Sequence, residues 1–349
     1  MKKIAYIELD THAEIAANFM ELMNDSNEFS VDYYFSEKMI KQIGKQNSTI
    51  FLTENSELLN QLKNQNYDLI IIGTVHRYFN LFNEISRKFN TSVIVHNLNF
   101  IKISRFQLFK NIFKKDFKYR LKLWLKEDLL SAPEVFENAK NLLVLDENLV
   151  QDKMKFLPIF FNEFNEKQSS EIFTIVVPGT VSQERRDYFH VLKSIKTFKK
   201  ETRFQFVFLG KAKGKELVWL TDFEKSKPEN ISLKYFTEKV SQDIFDDWMK
   251  KAHVLWCPIQ TETEFFNNKE IYGKTKMSGN IGDTIKYGKI VIFPENYPNS
   301  QAFIILEKSN IEEQLLNCEK SINYDFQKKF NKEKILNELE KTLETLIKI

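Results

Sequence analysis

The chain has 349 residues, a length that predicts about two domains. Hydrophobic residues make up 42% and charged residues 28%, a balance that excludes a disordered, fibrous or disulfide-stapled chain. The net charge is only +3, so the composition gives no indication of nucleic-acid binding, and we expect no nucleic-acid partner. The two cysteines, Cys257 and Cys318, stand alone and favour neither a structural zinc site nor an oxidising compartment.

The N-terminal segment begins with two lysines and a short apolar run, as a signal peptide would. Glu8 and Asp10 interrupt that run, and no small-residue cleavage site follows. No window approaches the ~18 consecutive apolar residues that a membrane-spanning helix needs. We therefore expect a cytoplasmic protein.

Short apolar runs alternate with segments of helical periodicity along the first half of the chain. The predicted strands are Ile4–Leu9, Ser30–Phe35, Asp68–Gly73, Ser92–His96 and Asn141–Leu145. The predicted helices are Ala13–Met23, Ser56–Lys63, Phe79–Lys88 and Glu147–Phe156. This alternation is typical of a parallel sheet covered on both faces, so residues 1–162 are predicted to form a doubly wound, Rossmann-like α/β domain.

Residues 162–170 are polar and aperiodic and predict a linker, after which the alternation restarts. The predicted strands are Ile172–Val177, Phe204–Leu209, Ile231–Phe236, Val254–Cys257 and Ile290–Phe293; the helices are Arg186–Lys199, Ser241–Lys251 and Asn280–Tyr287. A second Rossmann-like domain is therefore expected over residues 171–331, with a ligand in the cleft between the halves. Residues 332–349 carry one apolar stripe and predict a C-terminal helix that packs back across the boundary.

The most informative segment runs from Tyr272 to Pro294. Small residues at 278–280 open a helix that ends at Gly288, and the free N–H groups of such a helix start form an anion site. Asp283 lies one turn into the helix, where a carboxylate can reach the ribose of a nucleotide. The same residues also fit an ordinary helix with an N-cap and a glycine C-cap. The candidate residues for binding such a nucleotide are Lys276, Ser278, Gly279, Asn280, Ile281 and Asp283.

Two further turns at predicted strand ends could contribute to the same anion site. Gly179 permits close backbone approach to a ligand, and Arg185 and Arg186 supply planar donors for phosphate. Lys211 lies in a glycine- and lysine-rich turn over residues 209–214. The arginines also fit the start of a solvated helix, and the second turn fits a surface loop. All three segments should fall on one edge of one sheet, which favours a shared site.

The order of these segments resembles the GT-B glycosyltransferases, especially the retaining, nucleotide-sugar-dependent group (family 4, or group 1). In that group a glycine-rich basic turn follows the first donor-domain strand, and two acids eight residues apart precede a helix and a Gly-x-Pro-Val-Ile-like strand. Residues 283–292 match the second half of that motif, which implies that Asp283 binds ribose. Thr275 stands where the first acid is expected, and Thr180 where an arginine is expected beside Gly179.

The resemblance implies transfer of a sugar from a nucleotide-sugar donor, held by the second domain, to an acceptor held by the first. It implies retention, with the departing phosphate receiving the acceptor proton, and no metal or other cofactor. Two alternatives remain open: a nucleotide-sugar epimerase of the same fold, and a non-catalytic sugar- or nucleotide-binding protein.

Three histidines, His12, His76 and His96, follow predicted strands of the first domain. The carboxyl ends of parallel strands share an edge, so we expect all three to face the cleft. The resemblance implies that a histidine near here touches the transferred sugar or the leaving phosphate, although a single histidine is often structural. The candidate catalytic residues are His96, His12 and Arg185, with His76 as a weaker candidate and Asp10 as an alternative acid.

Residues 102–126 contain nine lysines and arginines and one acid, Asp116. Five aromatic residues follow helical spacing there: Phe106, Phe109, Phe113, Phe117 and Trp124. A cationic helix with an aromatic stripe is typical of an element in a membrane interface, so peripheral contact with an anionic inner membrane face is expected. That location would suit a lipid-linked or cell-surface polysaccharide precursor as acceptor. The alternative is that the stripe faces the core and the lysines form its solvated side.

Overall fold

The computed structural model describes residues 1–44, 48–163, 172–199, 202–298, 301–321 and 324–348. The strands of the first half are β1 (Lys2–Glu8), β2 (Phe29–Phe35), β3 (Ile50–Leu52), β4 (Leu69–Ile72), β5 (Thr91–Ile94), β6 (Asn141–Val144) and β7 (Met154–Phe156). They form one sheet in the order 3-2-1-4-5-6-7, and every pair is parallel. The helices around this sheet are α1 (Ala13–Met23), α2 (Glu37–Ile43), α3 (Leu58–Lys63), α4 (Phe79–Lys88), α5 (Arg105–Ile112), α6 (Phe117–Glu127) and α7 (Ala132–Asn138).

The second half repeats the architecture. Its strands are β8 (Phe173–Pro178), β9 (Phe204–Lys211), β10 (Ile231–Phe236), β11 (Val254–Trp256), an antiparallel hairpin of β12 (Glu262–Phe265) and β13 (Asn268–Ile271), β14 (Ile290–Phe293) and β15 (Ile304–Leu306). The hairpin apart, these strands form a parallel sheet in the order 10-9-8-11-14-15. The helices are α8 (Tyr188–Ile195), α9 (Gly214–Ser226), α10 (Gln242–Lys251), α11 (Gly279–Tyr287), α12 (Ile311–Ser321), α13 (Phe326–Phe330) and α14 (Lys332–Ile347).

Two parallel, helix-covered sheets confirm the predicted α/β class. The predicted helix over 147–156 is wrong. Residues 147–149 form a single 3₁₀ turn, capped where Asp146 accepts the Asn148 N–H at 3.1 Å, and Met154–Phe156 is strand β7. Asp152 lies between them with φ 42°, a left-handed backbone that interrupts any right-handed helix. Most of the predicted linker, residues 164–170, lies outside the described residues, as do residues 171 and 349.

One continuous apolar cluster runs through both sheets' layers. It includes Phe19 of α1, Phe161 after β7, Val176 of β8, Ile285 of α11 and Leu343 of α14. Burying this surface stabilises each half and also fixes one half against the other.

Helix α14 packs back onto the first half, as its single apolar stripe predicts. Its buried face consists of Ile335, Leu339, Leu343 and Leu346. Lys332 pairs with Asp25 at 2.7 Å and Glu340 accepts a hydrogen bond from Ser26 at 2.6 Å, so α14 is also bound to the turn that follows α1.

The close packing of α11 against the chain after β7 gives a test of this arrangement. A Cβ at Gly282 would lie 2.6 Å from Phe160 Cε1, so Gly282→Ala should lower the free energy of unfolding by about 1–3 kcal/mol. The matched control is Gly279→Ala on the same helix, where no described heavy atom lies within 4 Å of the added Cβ. Urea denaturation of both variants measures the difference; equal stabilities would contradict the packing.

Candidate functional site

The carboxyl ends of β1, β4 and β5 lie level with one another. Ile7 of β1 is in register with Ile72 of β4, and Ile72 with Val93 of β5, so the residues that follow share one edge. The backbone is crowded there: a Cβ at Gly73 would lie 2.6 Å from a Glu8 carboxylate oxygen. A glycine is therefore required where β4 ends.

The structure brings the three predicted histidines together at this edge. The His12 ring stacks on His96 with centroids 4.0 Å apart, and the His76 ring stands edge-on, 5.9 Å from His12 and 5.8 Å from His96. We call these three side chains the histidine cluster. His12 begins α1 with φ 60°, a left-handed backbone unusual for a non-glycine residue and a local strain.

Burial disfavours the charged form of two of the three histidines in the cluster. Burial lowers the pKa of both His76 and His96 well below the ordinary value, and the nearby charge of His12 lowers it further. His96 Nε2 lies 2.9 Å from the Gly73 carbonyl oxygen, which can only accept, so this nitrogen carries the hydrogen. Asp10, the alternative acid, is paired instead with Lys38 at 3.2 Å.

Glu8 is a site residue that sequence reasoning missed. It ends β1, is 1% exposed, and accepts hydrogen bonds from Thr74 Oγ1 at 2.6 Å and from the Asp10 and Thr11 N–H groups at 3.3 Å. Burial raises the pKa of Glu8 to about 7 despite these hydrogen bonds. The available signal was an acid inside an otherwise apolar strand.

On the opposite side of the cleft, four of the predicted donor-binding residues form a chain of contacts. The guanidinium of Arg186 lies against Gly179, where an added Cβ would come within 2.5 Å of Nη2. Arg186 Nη2 donates to Asn280 Oδ1 at 3.1 Å, and Asn280 Nδ2 donates to Asp283 Oδ2 at 3.2 Å. Gly179 has φ 105°, a conformation that also requires glycine.

The start of α11 provides an anion-binding geometry beside this chain of contacts. The Ser278 side chain makes no capping hydrogen bond to the described residues, and the positive end of the helix dipole lies at this helix start. The Arg186 Nε–H is buried and has no partner among the described residues. Burial raises the pKa of Asp283 to about 6, and its hydrogen bond from Asn280 and the charge of Arg186 oppose that rise. The charge of Glu14 of α1 raises it further.

Lys276 bridges the two halves. Its Nζ donates to Asn97 Oδ1 at 2.6 Å, and the Asn97 Nδ2 lies 3.4 Å from His76 Nε2. Burial lowers the pKa of Lys276 to about 8, while Glu270 opposes that shift. Thr275, at the position where an acid was expected, accepts hydrogen bonds from Ile271 N–H through Oγ1 and from Leu98 N–H through its carbonyl.

The other predicted donor-binding residues do not join this group. Thr180 and Arg185 are exposed, although the charge of Arg185 still influences Lys276. Lys211 pairs with Glu238 at 3.2 Å on the surface. Ile281 is buried in the apolar cluster. Among the described residues, no set of three or more histidine, cysteine or acidic side chains is placed to hold a metal ion.

The basic segment forms two helices rather than the single predicted one. Asp116, with φ 58°, separates α5 from α6. The face toward the core consists of Leu108, Ile112 and Leu123. Four of the five predicted aromatic side chains point outward, whereas Trp124 is half-buried and packs against the apolar core. Phe106 is 67% and Phe113 56% exposed, and with Phe109 and Phe117 they form a surface that we call the aromatic patch. The alternative in which the whole stripe faces the core is therefore wrong, and only Trp124 follows it.

None of the helices in the described ranges is long and apolar enough to cross a bilayer. Helix α6, which begins with Phe117 of the aromatic patch, also contacts the segment that follows β4. Glu127 of α6 accepts a hydrogen bond at 2.6 Å from Arg77, the residue after His76.

No protein-family model matches this chain, and no curated protein matches it in sequence. Solved structures do match its fold. Sucrose-phosphate synthase from Thermosynechococcus elongatus aligns with a TM-score of 0.59 at 11% identity, covering 99% of each chain. The lipopolysaccharide outer core galactosyltransferase WaaB aligns with a TM-score of 0.57 at 10% identity, over 98% of this chain and 99% of that one.

A UDP-GlcNAc 2-epimerase from Neisseria meningitidis, bound to UDP-GlcNAc, aligns with a TM-score of 0.53 at 13% identity, over 99% of this chain and 100% of that one. These similarities extend over essentially whole chains, and they confirm the GT-B fold expected from the resemblance of the motifs. The fold is shared by transferases and epimerases, so the fold alone does not separate those two activities.

The raised pKa of Glu8 predicts a pH-dependent stability. The folded state retains a proton that the unfolded chain loses above its ordinary pKa of 4.5, so the free energy of unfolding should fall by about 3 kcal/mol as the pH rises from 4.5 through 7. Glu8→Gln removes this titration, and its stability relative to the parent protein should rise over the same window. Urea unfolding between pH 5 and 8 measures the free energy of unfolding of each protein, and the exposed Glu37→Gln serves as the control. The same pH dependence of stability in Glu8→Gln and in the parent protein would contradict the prediction.

Proposed function

We propose that this protein is a glycosyltransferase that moves a sugar from a nucleotide-sugar donor to an acceptor, with retention at the sugar carbon. The observation that carries this proposal is the chain of contacts from Gly179 through Arg186 and Asn280 to Asp283 at the start of α11. Lys276, just before that helix, reaches Asn97 beside His76 of the histidine cluster. The fold shared with a galactosyltransferase and with a UDP-GlcNAc-bound epimerase supports a nucleotide-sugar ligand.

The donor's diphosphate would lie at the start of α11, where backbone N–H groups and the Arg186 guanidinium donate to its oxygens. Asp283 would accept hydrogen bonds from the ribose hydroxyls. Because the bond between the sugar carbon and the diphosphate breaks in the reaction, negative charge grows on the departing phosphate. Fixed donors at that position stabilise the transition state more than the ground state. We propose that Arg186 and Lys276 supply this stabilisation, so that the reaction needs neither a metal nor another cofactor.

The acceptor hydroxyl would attack from the side of the histidine cluster. Its oxygen forms the new bond to the sugar carbon while its proton passes to the departing phosphate oxygen. His96, held in one tautomer by the Gly73 carbonyl, would orient the transferred sugar, and His12 would contact the acceptor.

A panel of UDP-, GDP-, CDP- and dTDP-sugars tests the proposed activity. Acceptor-dependent release of free nucleoside diphosphate supports transfer. Interconversion of the sugar without such release would instead establish an epimerase, and tight binding with neither reaction would establish a binding protein.

The different environments of the two neighbouring arginines predict unequal roles. Arg186→Ala should weaken donor binding by about 1–3 kcal/mol, since it removes a charged hydrogen-bond donor, whereas Arg185→Ala, at an exposed side chain, should change it much less. Isothermal titration with the donor identified by the panel measures both, and circular dichroism checks that each variant is folded. Equal and small effects would show that neither arginine binds the phosphates.

We further propose that the acceptor is a lipid-linked or cell-surface polysaccharide precursor, reached by peripheral binding at the cytoplasmic face of a membrane. The aromatic patch supports this, because its rings are exposed and surrounded by lysines, and Lys110 lies 4.4 Å above the Phe106 ring. Such rings insert at the interface while basic side chains attract anionic headgroups, at about 1 kcal/mol per basic residue. Helix α6 begins with Phe117 of the patch and ends with Glu127, which binds Arg77 beside His76. We propose that an acceptor passes along this helix from the membrane to the cleft.

Liposome flotation tests the membrane contact. The protein should float with anionic but not neutral vesicles, and the binding should weaken with salt because it is partly electrostatic. Charge reversal of the four exposed lysines of the patch should abolish it: Lys110→Glu, Lys114→Glu, Lys115→Glu and Lys118→Glu. The matched control reverses four exposed lysines of the second half, Lys213, Lys215, Lys234 and Lys239. Absence of flotation at low salt, or equal loss in the control, would contradict the proposal and favour a soluble acceptor.

A further inference from the structure

The hairpin β12–β13 belongs to the second half of the chain but lies against the first. At its tip Phe266 and Asn267 both have positive φ, 50° and 56°, as a two-residue hairpin turn requires. Asn and Gly usually occupy such a turn, so Phe266 costs backbone strain there. The contacts of this tip with the first half offset that strain.

The tip is held by α5 and α6. Asn111 Nδ2 donates to the Phe266 carbonyl at 2.9 Å, and the Arg120 guanidinium binds Asn267 Oδ1 and lies 5.5 Å from the Phe266 ring. The ring centroids of Phe265 and His76 lie 4.5 Å apart. The hairpin therefore touches both the helices that carry the aromatic patch and the histidine cluster.

Glu270, on the second strand of the hairpin, makes a buried polar contact with the first half. The residue is fully buried, and its carboxylate accepts hydrogen bonds from the Phe100 N–H at 2.9 Å and the Asn99 N–H at 3.2 Å. The Asn99 side chain returns a hydrogen bond to the Lys269 carbonyl at 2.8 Å. A carboxylate is costly to bury, so its hydrogen bonds have to hold these two segments in one fixed arrangement.

The same two segments continue in contact toward the cleft. After β13 the Thr275 carbonyl accepts from the Leu98 N–H at 2.9 Å, and Lys276 reaches Asn97. Residues 97–100 of the first half thus run alongside residues 269–276 of the second. Lys276 occupies the end of this contact that lies nearest the histidine cluster.

We propose that Glu270 is a positioning residue, which locks residues 97–100 to the hairpin and thereby holds the Lys276 ammonium at the cleft between the two halves. The locking itself is independent of the reaction. Only the consequence for a diphosphate ligand rests on the proposed function.

Glu270 also acts on Lys276 through its charge. The groups that influence or face Lys276 are Glu270, Arg185, His76 and His96. Glu270 is the acid among these, and it opposes the lowering of the Lys276 pKa, which lies at about 8. Without that negative charge, the pKa of Lys276 falls further, and the ammonium loses its proton at a lower pH.

The experiment compares Glu270→Gln and Glu270→Ala with Glu262→Gln, an exposed acid on the same hairpin that pairs with Lys269. Hydrogen–deuterium exchange of the full chain, without ligand, measures whether Glu270 holds residues 97–100 against the hairpin. In Glu270→Ala the Asn99 and Phe100 amides should exchange on the order of tenfold faster or more, because they lose a charged acceptor. Glu270→Gln, which retains one acceptor oxygen, should show a smaller increase, and Glu262→Gln none.

Calorimetric titration with UDP between pH 6 and 9 measures the effect of Glu270 on Lys276, through the pH dependence of UDP affinity. The pH above which UDP affinity falls should be lower in Glu270→Gln than in the parent protein, and unchanged in Glu262→Gln. Unaltered exchange at residues 97–100 in both Glu270 variants would overturn the locking. Faster amide exchange, together with an unshifted pH dependence of UDP affinity, would overturn the proposed role of Glu270 in positioning Lys276. Failure of the parent protein to bind UDP or any donor of the panel would instead count against the proposed function, while the exchange result would still decide on the locking.

Discussion

Two parallel sheets can share a ligand only if their carboxyl edges face each other, and the continuous apolar cluster enforces that orientation here. It joins α1 and α14 on the first sheet to β8 and α11 on the second. As a result the charge of Glu14 on α1 acts on Asp283 of α11 and raises the pKa of that carboxyl. The histidine cluster forms within the first half and the Arg186–Asn280–Asp283 chain within the second, so only their position relative to each other depends on this alignment.

Burial at this junction explains the unusual ionisation of the site. Glu8 and Asp283 have raised pKa values and Lys276 a lowered one, and in each case burial is the largest cause. Groups of both signs are therefore shifted toward their neutral forms. In such an environment a charge on a ligand interacts strongly with the few donors that remain, Arg186 foremost.

Sequence periodicity predicted most strands and the convergence of three strand-end histidines, because register in a parallel sheet follows from the apolar runs alone. It also placed Gly179, Asn280 and Asp283 on one edge. Glu270 and the hairpin were not predictable in this way, since their partners lie about 170 residues away and their strands are short and polar. The prediction for residues 147–156 was wrong because their apolar spacing also fits a helix. The left-handed backbone of Asp152 interrupts that helix, and pairing with β6 stabilises strand β7 instead.

The return of α14 to the first half has a consequence for synthesis of the chain. The apolar face of α1 is completed by Leu339 and Leu343, which are made roughly 300 residues later. At about 5–20 residues per second on the ribosome, that face stays uncovered for about 15–60 s. During this interval the nascent first sheet carries an exposed apolar surface, so its folding is completed only after the second half has been translated and the chain closes on itself.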